Sequence, residues 1–221
     1  LPPFRSCISV GFSSMPDAAT AISKIFTAGF LPSALELADA FTLEATWKRT
    51  GSKVFKDSKA HLILEMDGQE ESVRVEISKI EKIIRTLKCR SIEIAHGAKK
   101  CEGIWNVRRE FSYALKDTGL KKLNHDIVIP RGRLVDFFVF TDQLQKRFGI
   151  PVACFGHAGD GNIHTNVMVD EKKPEHLASG HVMTDLIFKQ VLEWGGKITG
   201  EHGIGLAKLP WWNKGTSKEE R

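Results

Sequence analysis

Apolar positions along this chain alternate between short strand-like runs and a spacing of three or four residues, as on one face of a helix. Ile8-Ser-Val-Gly-Phe12 reads as a strand. Ser13 or Ser14 as a cap and Pro16 in the first turn then open a helix carrying Ala19, Ile22, Ile25 and Phe26, which Gly29 ends. Residues 34–37 form a second strand, and Asp39 leads into a helix with Phe41, Leu43, Ala45 and Trp47. A polar, lysine-rich loop is expected at 51–59, a strand at 61–66 and a turn at Asp67-Gly68. A long amphipathic helix with Val73, Val75, Ile77, Ile80, Ile83, Ile84 and Leu87 on or near one stripe follows.

The pattern continues with a strand at 91–95. One helix is expected from about Ala98 to Leu115, burying Ile104, Trp105, Val107, Phe111 and Ala114, with Gly119 as its stop. Strands at 126–130 and 151–155 flank a helix at 134–148. Residues 162–169 alternate, with His164 and Asn166 on one face and Ile163, Thr165 and Val167 on the other. A helix at 174–194 and a short strand at 197–199 complete the series. Strands alternating with helices predict an α+β or α/β sandwich of ferredoxin-like βαβ units, with an antiparallel or mixed sheet covered by helices.

With 221 residues, 42% hydrophobic and 27% charged, the chain has material for one large domain or two small ones. Its apolar runs, such as 127–129 and 135–140, are too short to cross a bilayer, and no signal peptide opens it. It starts at Leu1, enters a strand almost at once and ends in a charged stretch over 214–221, so both ends read as cut and a fragment of a larger protein is expected. The net charge of +5 is spread along the chain with no basic block carrying aromatics. A small anionic substrate or a membrane surface therefore fits better than nucleic acid, which is not expected as a partner. Cys7, Cys89, Cys101 and Cys154 show no CxxC pair or regular spacing, which argues against a disulfide framework or a thiolate zinc site. A cytoplasmic location is expected, with peripheral seating at the inner membrane face.

Two glycine-rich segments stand apart from core patterning: Phe155-Gly-His-Ala-Gly-Asp-Gly-Asn-Ile-His164 and Gly200-Glu-His-Gly-Ile-Gly205. His157 and His164 bracket a turn, so a hairpin can aim both imidazoles at one point, and Glu201 is the natural third ligand for a divalent ion. Against this stands the plainer reading of surface histidines beside a turn in which Asp160 is a turn-maker. The Gly156-x-x-Gly159-x-Gly161 run has the wrong spacing for a dinucleotide fingerprint and leads into a strand. Arg108 lies on the stripe beside Trp105 and Phe111, where it either is a solvated helix residue or faces inward to take a substrate carboxylate in a bidentate pair. Arg131, after Pro130, competes for that role.

These segments, with Gly196-Lys-Ile-Thr199 leading into the second, resemble the C-terminal domain of the FAD-linked oxidases, the group with glycolate oxidase, D-lactate dehydrogenases and D-2-hydroxyglutarate dehydrogenase. Supporting matches are Pro32-Ser-Ala-Leu-Glu-Leu-Ala-Asp39, Asp126-Ile-Val-Ile-Pro-Arg131 and Trp105-x-x-Arg108. The resemblance implies one domain over 1–221, with the N-terminal FAD-binding domain absent. It implies a flavoprotein in which His157, His164 and Glu201 hold zinc, manganese or iron, His202 is the base, and Asn166 and Arg108 contact substrate. A D-2-hydroxy acid would be oxidised to the 2-oxo acid with hydride transfer to FAD. Expected partners are the small 2-hydroxy acid, the N-terminal FAD domain, an electron-acceptor subunit and a second copy in a homodimer. The chain departs from the family in stopping before a closing segment with an NPGK-like run. It also has Asn124 where some members carry a lysine for a second carboxylate, with Lys121 and Lys122 nearby. Two other readings stay open: a non-catalytic metal-binding or subunit-assembly module, and a metal-dependent hydrolase, since two histidines and a glutamate also activate water.

Overall fold

The computed structural model describes residues 2–52, 55 and 57–218. Within them the chain forms two compact units, one running to Thr118 and including His157–Gly159, the other holding Gly119–Gly156 and the residues from Asp160 on.

The first unit contains β1 (Phe4–Phe12), α1 (Met15–Thr27), β2 (Ala34–Asp39), α2 (Ala40–Thr50), β3 (Ala60–Gly68), α3 (Glu70–Arg85) and β4 (Cys89–His96). Its sheet runs β4-β1-β3-β2 with antiparallel neighbours throughout, the order of a ferredoxin-like βαββαβ unit with α2 inserted before β3. Local signals set the boundaries. Ser14 Oγ accepts from the Asp17 N–H at 3.2 Å, Asp39 Oδ1 from the Thr42 N–H at 2.9 Å, and Gly51 ends α2 at φ +68°. α3 buries Val73, Ile77, Ile80 and Ile84 while Val75 is exposed, so its buried stripe is narrower than its apolar content. Asp67 and Gly68, expected as a turn, are the last residues of β3. The loop expected at 51–59 lies partly outside the described residues.

Cys7 and Ile63 pack with Ala95, Cys101 and Ile104. Glu65 sits beside this cluster and accepts from Trp105 Nε1 at 2.7 Å, Cys7 Sγ at 3.0 Å and Arg5 Nη1 at 3.4 Å. Cys101 donates to the Ala95 carbonyl at 3.5 Å. Burial pushes both thiols up, so they act as neutral donors and the carboxylate they surround is satisfied from within.

The single helix expected at 98–115 is two, α4 (Ala98–Arg109) and α5 (Phe111–Asp117). The Glu110 N–H bonds the carbonyl of Val107, three residues back, at 3.2 Å, which tightens the chain at the junction. Phe111, Ala114 and Leu115 are buried on α5, as Cys101 and Ile104 are on α4.

The second unit contains β5 (Lys121–Val128), α6 (Leu134–Phe148), β6 (Val152–His157), β7 (Asn162–Val169) and α7 (Pro174–Glu193). Its strands run β6-β7-β5, with β5 and β7 antiparallel. The strand expected at 197–199 is one antiparallel bridge, Lys197 to Val128, because the chain turns at once to wrap a side chain of β5. Counting that bridge as a vestigial fourth strand, the second unit has the same strand order as the first. Its core is Ile127, Phe137, Leu144, Val152, Ile163, Met183, Ile187, Phe188 and Val191.

Past residue 203, where the pattern of apolar positions predicts nothing, stand α8 (Gly205–Lys208), a 3-10 turn at Leu209–Trp211 and α9 (Trp212–Gly215). The charged stretch read over 214–221 lies outside the described residues from 219 on. Among the described residues no helix is long and apolar enough to cross a membrane.

Candidate functional site

In the β5–β7 register Asp126 lies opposite His164 and Asn124 opposite Asn166, so the period of two puts all four on one face. The turn before β7 is built for close approach. Asp160 Oδ1 accepts from the Asn162 N–H at 2.9 Å, the turn-making role. Gly161 has φ +84°, and a Cβ there would stand 2.0 Å from the Ile129 carbonyl oxygen.

Asp126 is wholly buried and organises the second glycine segment. Its Oδ2 accepts from three successive backbone N–H groups, those of Gly200 at 2.7 Å, Glu201 at 2.6 Å and His202 at 2.9 Å. Its Oδ1 is paired with the Lys208 ammonium, which also donates to the Asp126 carbonyl at 3.1 Å. Thr199 Oγ1 donates to the Gly203 carbonyl at 3.0 Å, closing the turn. Burial alone would raise the Asp126 carboxyl, but Lys208 and the three N–H groups outweigh it and hold the group well below the usual carboxylate range.

That arrangement presents Glu201 and His202 beside His164. Glu201 Oε1 lies 3.3 Å from His164 Nε2 and 3.4 Å from His202 Nε2. The two imidazoles stack with centroids 5.3 Å apart, and Phe155 packs against His164 at 5.3 Å. Glu201 and His202 are about half exposed whereas His164 is nearly buried. One carboxylate oxygen between two ring nitrogens can relay a proton or bind a cation.

In the first unit Arg108 and His157 meet on Glu36. Arg108 places Nε at 2.7 Å and Nη2 at 2.6 Å from Glu36 Oε2, and His157 Nδ1 bonds Oε1. Arg108 also lies over the Phe111 ring at 5.2 Å. Arg108 faces inward, and the carboxylate it meets in this structure is the protein's own. Burial raises the Glu36 carboxyl, but the His157 bond and the Arg108 charge bring it below its ordinary value.

Asn166 is buried, and its Nδ2 donates to the Ala153 carbonyl at 3.1 Å, tying β7 to β6. Arg131 is exposed on a 3-10 turn at Arg131–Arg133 after Pro130. Reading the sequence missed Glu36, Lys208 and the function of Asp126. Glu36 had a visible signal, an acidic residue inside an otherwise apolar strand; Asp126, in the mixed strand β5, and Lys208 had none.

Fold and site together define an α+β protein of two ferredoxin-like units carrying imidazole and carboxylate groups on glycine-rich turns. The profile of "FAD linked oxidases, C-terminal domain" matches residues 1–220, and the chain belongs to that family. It is 28% identical over 208 residues to glycolate oxidase subunit GlcD of Bacillus subtilis, covering 94% of this chain and 44% of that protein. It is 26% identical to D-lactate dehydrogenase of Anaerostipes hadrus, covering 95% and 46%. The chain thus spans under half the length of these relatives. Among solved structures it is similar to alkyldihydroxyacetonephosphate synthase, at 16% identity and TM-score 0.60, covering 90% of this chain and 40% of that one. It is also similar to 4-ethylphenol oxidase from Gulosibacter chungangensis, at 14% identity and TM-score 0.60, covering 89% and 45%. These two likenesses show the fold.

Proposed function

We propose that this chain is the substrate-binding and catalytic part of a flavin-dependent oxidoreductase that converts a D-2-hydroxy acid of the glycolate or D-lactate type to its 2-oxo acid. The family supports the flavin, and the names of the relatives point to the substrate class. The observation within the chain that carries the reading is the Glu201 carboxylate held between the imidazoles of His164 and His202.

The glycine-rich run at 156–161 opens onto strand β7 and offers no helix N-terminus for a pyrophosphate, so the nucleotide is assigned to an N-terminal FAD domain outside this chain. A metal fits the donors present. His164 Nε2 and Glu201 Oε1 already converge, and His157 has its Nδ1 oriented by Glu36, the carboxylate–imidazole pairing that commonly supports a metal-bound histidine through its other nitrogen. We assign His157, His164 and Glu201 as ligands of zinc, manganese or iron, a set matched to nitrogen and oxygen donors. When bound, the ion supplies Lewis acidity to the substrate hydroxyl and the flavin accepts a hydride.

In this reading His202 takes the proton from the C2 hydroxyl as general base. The C2–H bond breaks with its electron pair, C2=O forms, and the proton stays on His202. Arg108 takes the substrate carboxylate, with Arg131 as the competing candidate and Asn166 as a further contact; Asn124 in place of a lysine favours monocarboxylic substrates. Fixing the acid in this way can lower the barrier by several kcal/mol (roughly 7–11 at most). An electron-acceptor subunit and a second copy are the proposed protein partners. The test is anaerobic mixing of the full-length flavoprotein with D- and L-2-hydroxy acids. Bleaching of the flavin by one D-acid, with the matching 2-oxo acid recovered, is expected; no bleaching by any of them ends this reading in favour of an assembly module.

A further inference from the structure

We propose that Asp126 and Lys208 form a positioning clasp for the turn at residues 199–203, fixing the backbone from which Glu201 and His202 project. Only the kinetic half of the proposal rests on the functional reading above.

Three consecutive N–H groups aimed at one oxygen form a nest, an arrangement that ordinarily captures an anion. Here the anion is a side chain of β5, fixed by its strand directly opposite His164. A neutral side chain would satisfy these donors less strongly, because hydrogen bonds to an ionised acceptor are about twice as strong. The carboxylate cannot stand alone in the interior, and Lys208 supplies its counter-charge; the side chains of both are almost fully buried. Lys208 comes from α8, just past the turn, so the clasp holds the turn from both ends: β5 grips its start and α8 returns to the same carboxylate.

Packing closes the remaining freedom. A Cβ on Gly200 would lie 2.5 Å from Asn162 Cγ, so the turn sits directly against that amide. His202 Nδ1 stands 3.8 Å from Asp126 Oδ1, too far for a strong bond, and the ring is placed by its backbone rather than by direct grip. Both residues are therefore positioning residues: neither touches the reacting atoms.

The experiment compares full-length wild type with Asp126→Asn, Lys208→Met and the double variant. Residue-resolved hydrogen exchange is read at Gly200, Glu201 and His202, with α7 amides as the measure of global stability. The clasp predicts exchange at the three amides faster by roughly 10–100-fold in Asp126→Asn, the worth of a charge-assisted hydrogen bond, and about 10-fold faster in Lys208→Met, in each case beyond the global loss that the α7 amides report. If Asp126→Asn fails to fold, Lys208→Met and the charge-neutral double variant decide the matter. In the kinetic half, flavin reduction at saturating acid slows at least about 10-fold in Lys208→Met while KM shifts less than about 3-fold, the pattern of a misplaced base rather than a lost substrate contact. Wild-type exchange rates at the three amides in folded variants would overturn the clasp. Should wild type itself fail to reduce its flavin with any 2-hydroxy acid, the functional reading falls and the exchange data still decide the clasp.

Discussion

Arg108 and Glu36 form a buried charged pair in which Nε and Nη2 of the arginine both reach Oε2, at 2.7 and 2.6 Å, while His157 holds the other oxygen. Glu36 is 4% exposed at its side chain and Arg108 14%, so neither charge is well hydrated. Removing one partner strands the other. Glu36→Ala and Arg108→Ala should each destabilise the protein by about 3–5 kcal/mol, and the double variant by clearly less than their sum. A double-mutant cycle from denaturant unfolding checks this, and simple additivity would show that the pair is not coupled.

His61 gives a pH dependence with a definite sign. Its ring is buried against Ser9 Oγ at 2.8 Å and the edge of Phe55, and burial lowers its pKa from 6.5 to about 3. The folded protein thus refuses a proton that the unfolded chain accepts below 6.5, and stability falls as pH drops through the window from 6.5 to about 3. At about 1.4 kcal/mol per pH unit, the loss from this group between pH 7 and 5 is roughly 2 kcal/mol. Thermal unfolding of wild type and His61→Gln at both pH values should show the extra loss in wild type only; parallel shifts would contradict it.

Gly161→Ala tests whether the first glycine motif is shaped by sterics. A left-handed alanine costs about 1–3 kcal/mol and the clash with the Ile129 carbonyl a similar amount. Lowered stability is expected, read by denaturant midpoint, whereas Gly159→Ala, with Leu35 Cβ at 3.7 Å, meets only ordinary contact and should be mild.

Much of the fold was legible because its punctuation is local. α6 and β7 match the expected spans 134–148 and 162–169, since Gly149 at φ +67° stops the one and the alternation of Ile163 and Val167 with His164 and Asn166 marks the other. The break at Glu110 was not legible: Ile104 and Phe111 are seven apart, so two helices and one show the same apolar stripe. In the site, His164 and Glu201 come together, one from each glycine-rich segment. What stayed hidden was what holds them. Asp126 lies far in sequence from the turn it holds, as Glu36 does from Arg108 and His157, and a charge pair leaves no periodic trace.

The metal assignment predicts about one equivalent of zinc, manganese or iron per full-length chain after reconstitution, as expected when three protein ligands hold one ion. Elemental analysis should find it lost in the His157→Ala, His164→Ala double variant. Equal metal in both would remove these histidines from the ligand set.

In the proposed reaction His202, held on the turn around Asp126, is the base for oxidation of a hydroxy acid. Rapid anaerobic mixing of full-length wild type and His202→Ala with the D-2-hydroxy acid measures it directly. The variant is expected to keep FAD and fold normally but to reduce its flavin at least about 100-fold more slowly, the range for loss of a general base. Reduction at the wild-type rate would contradict it.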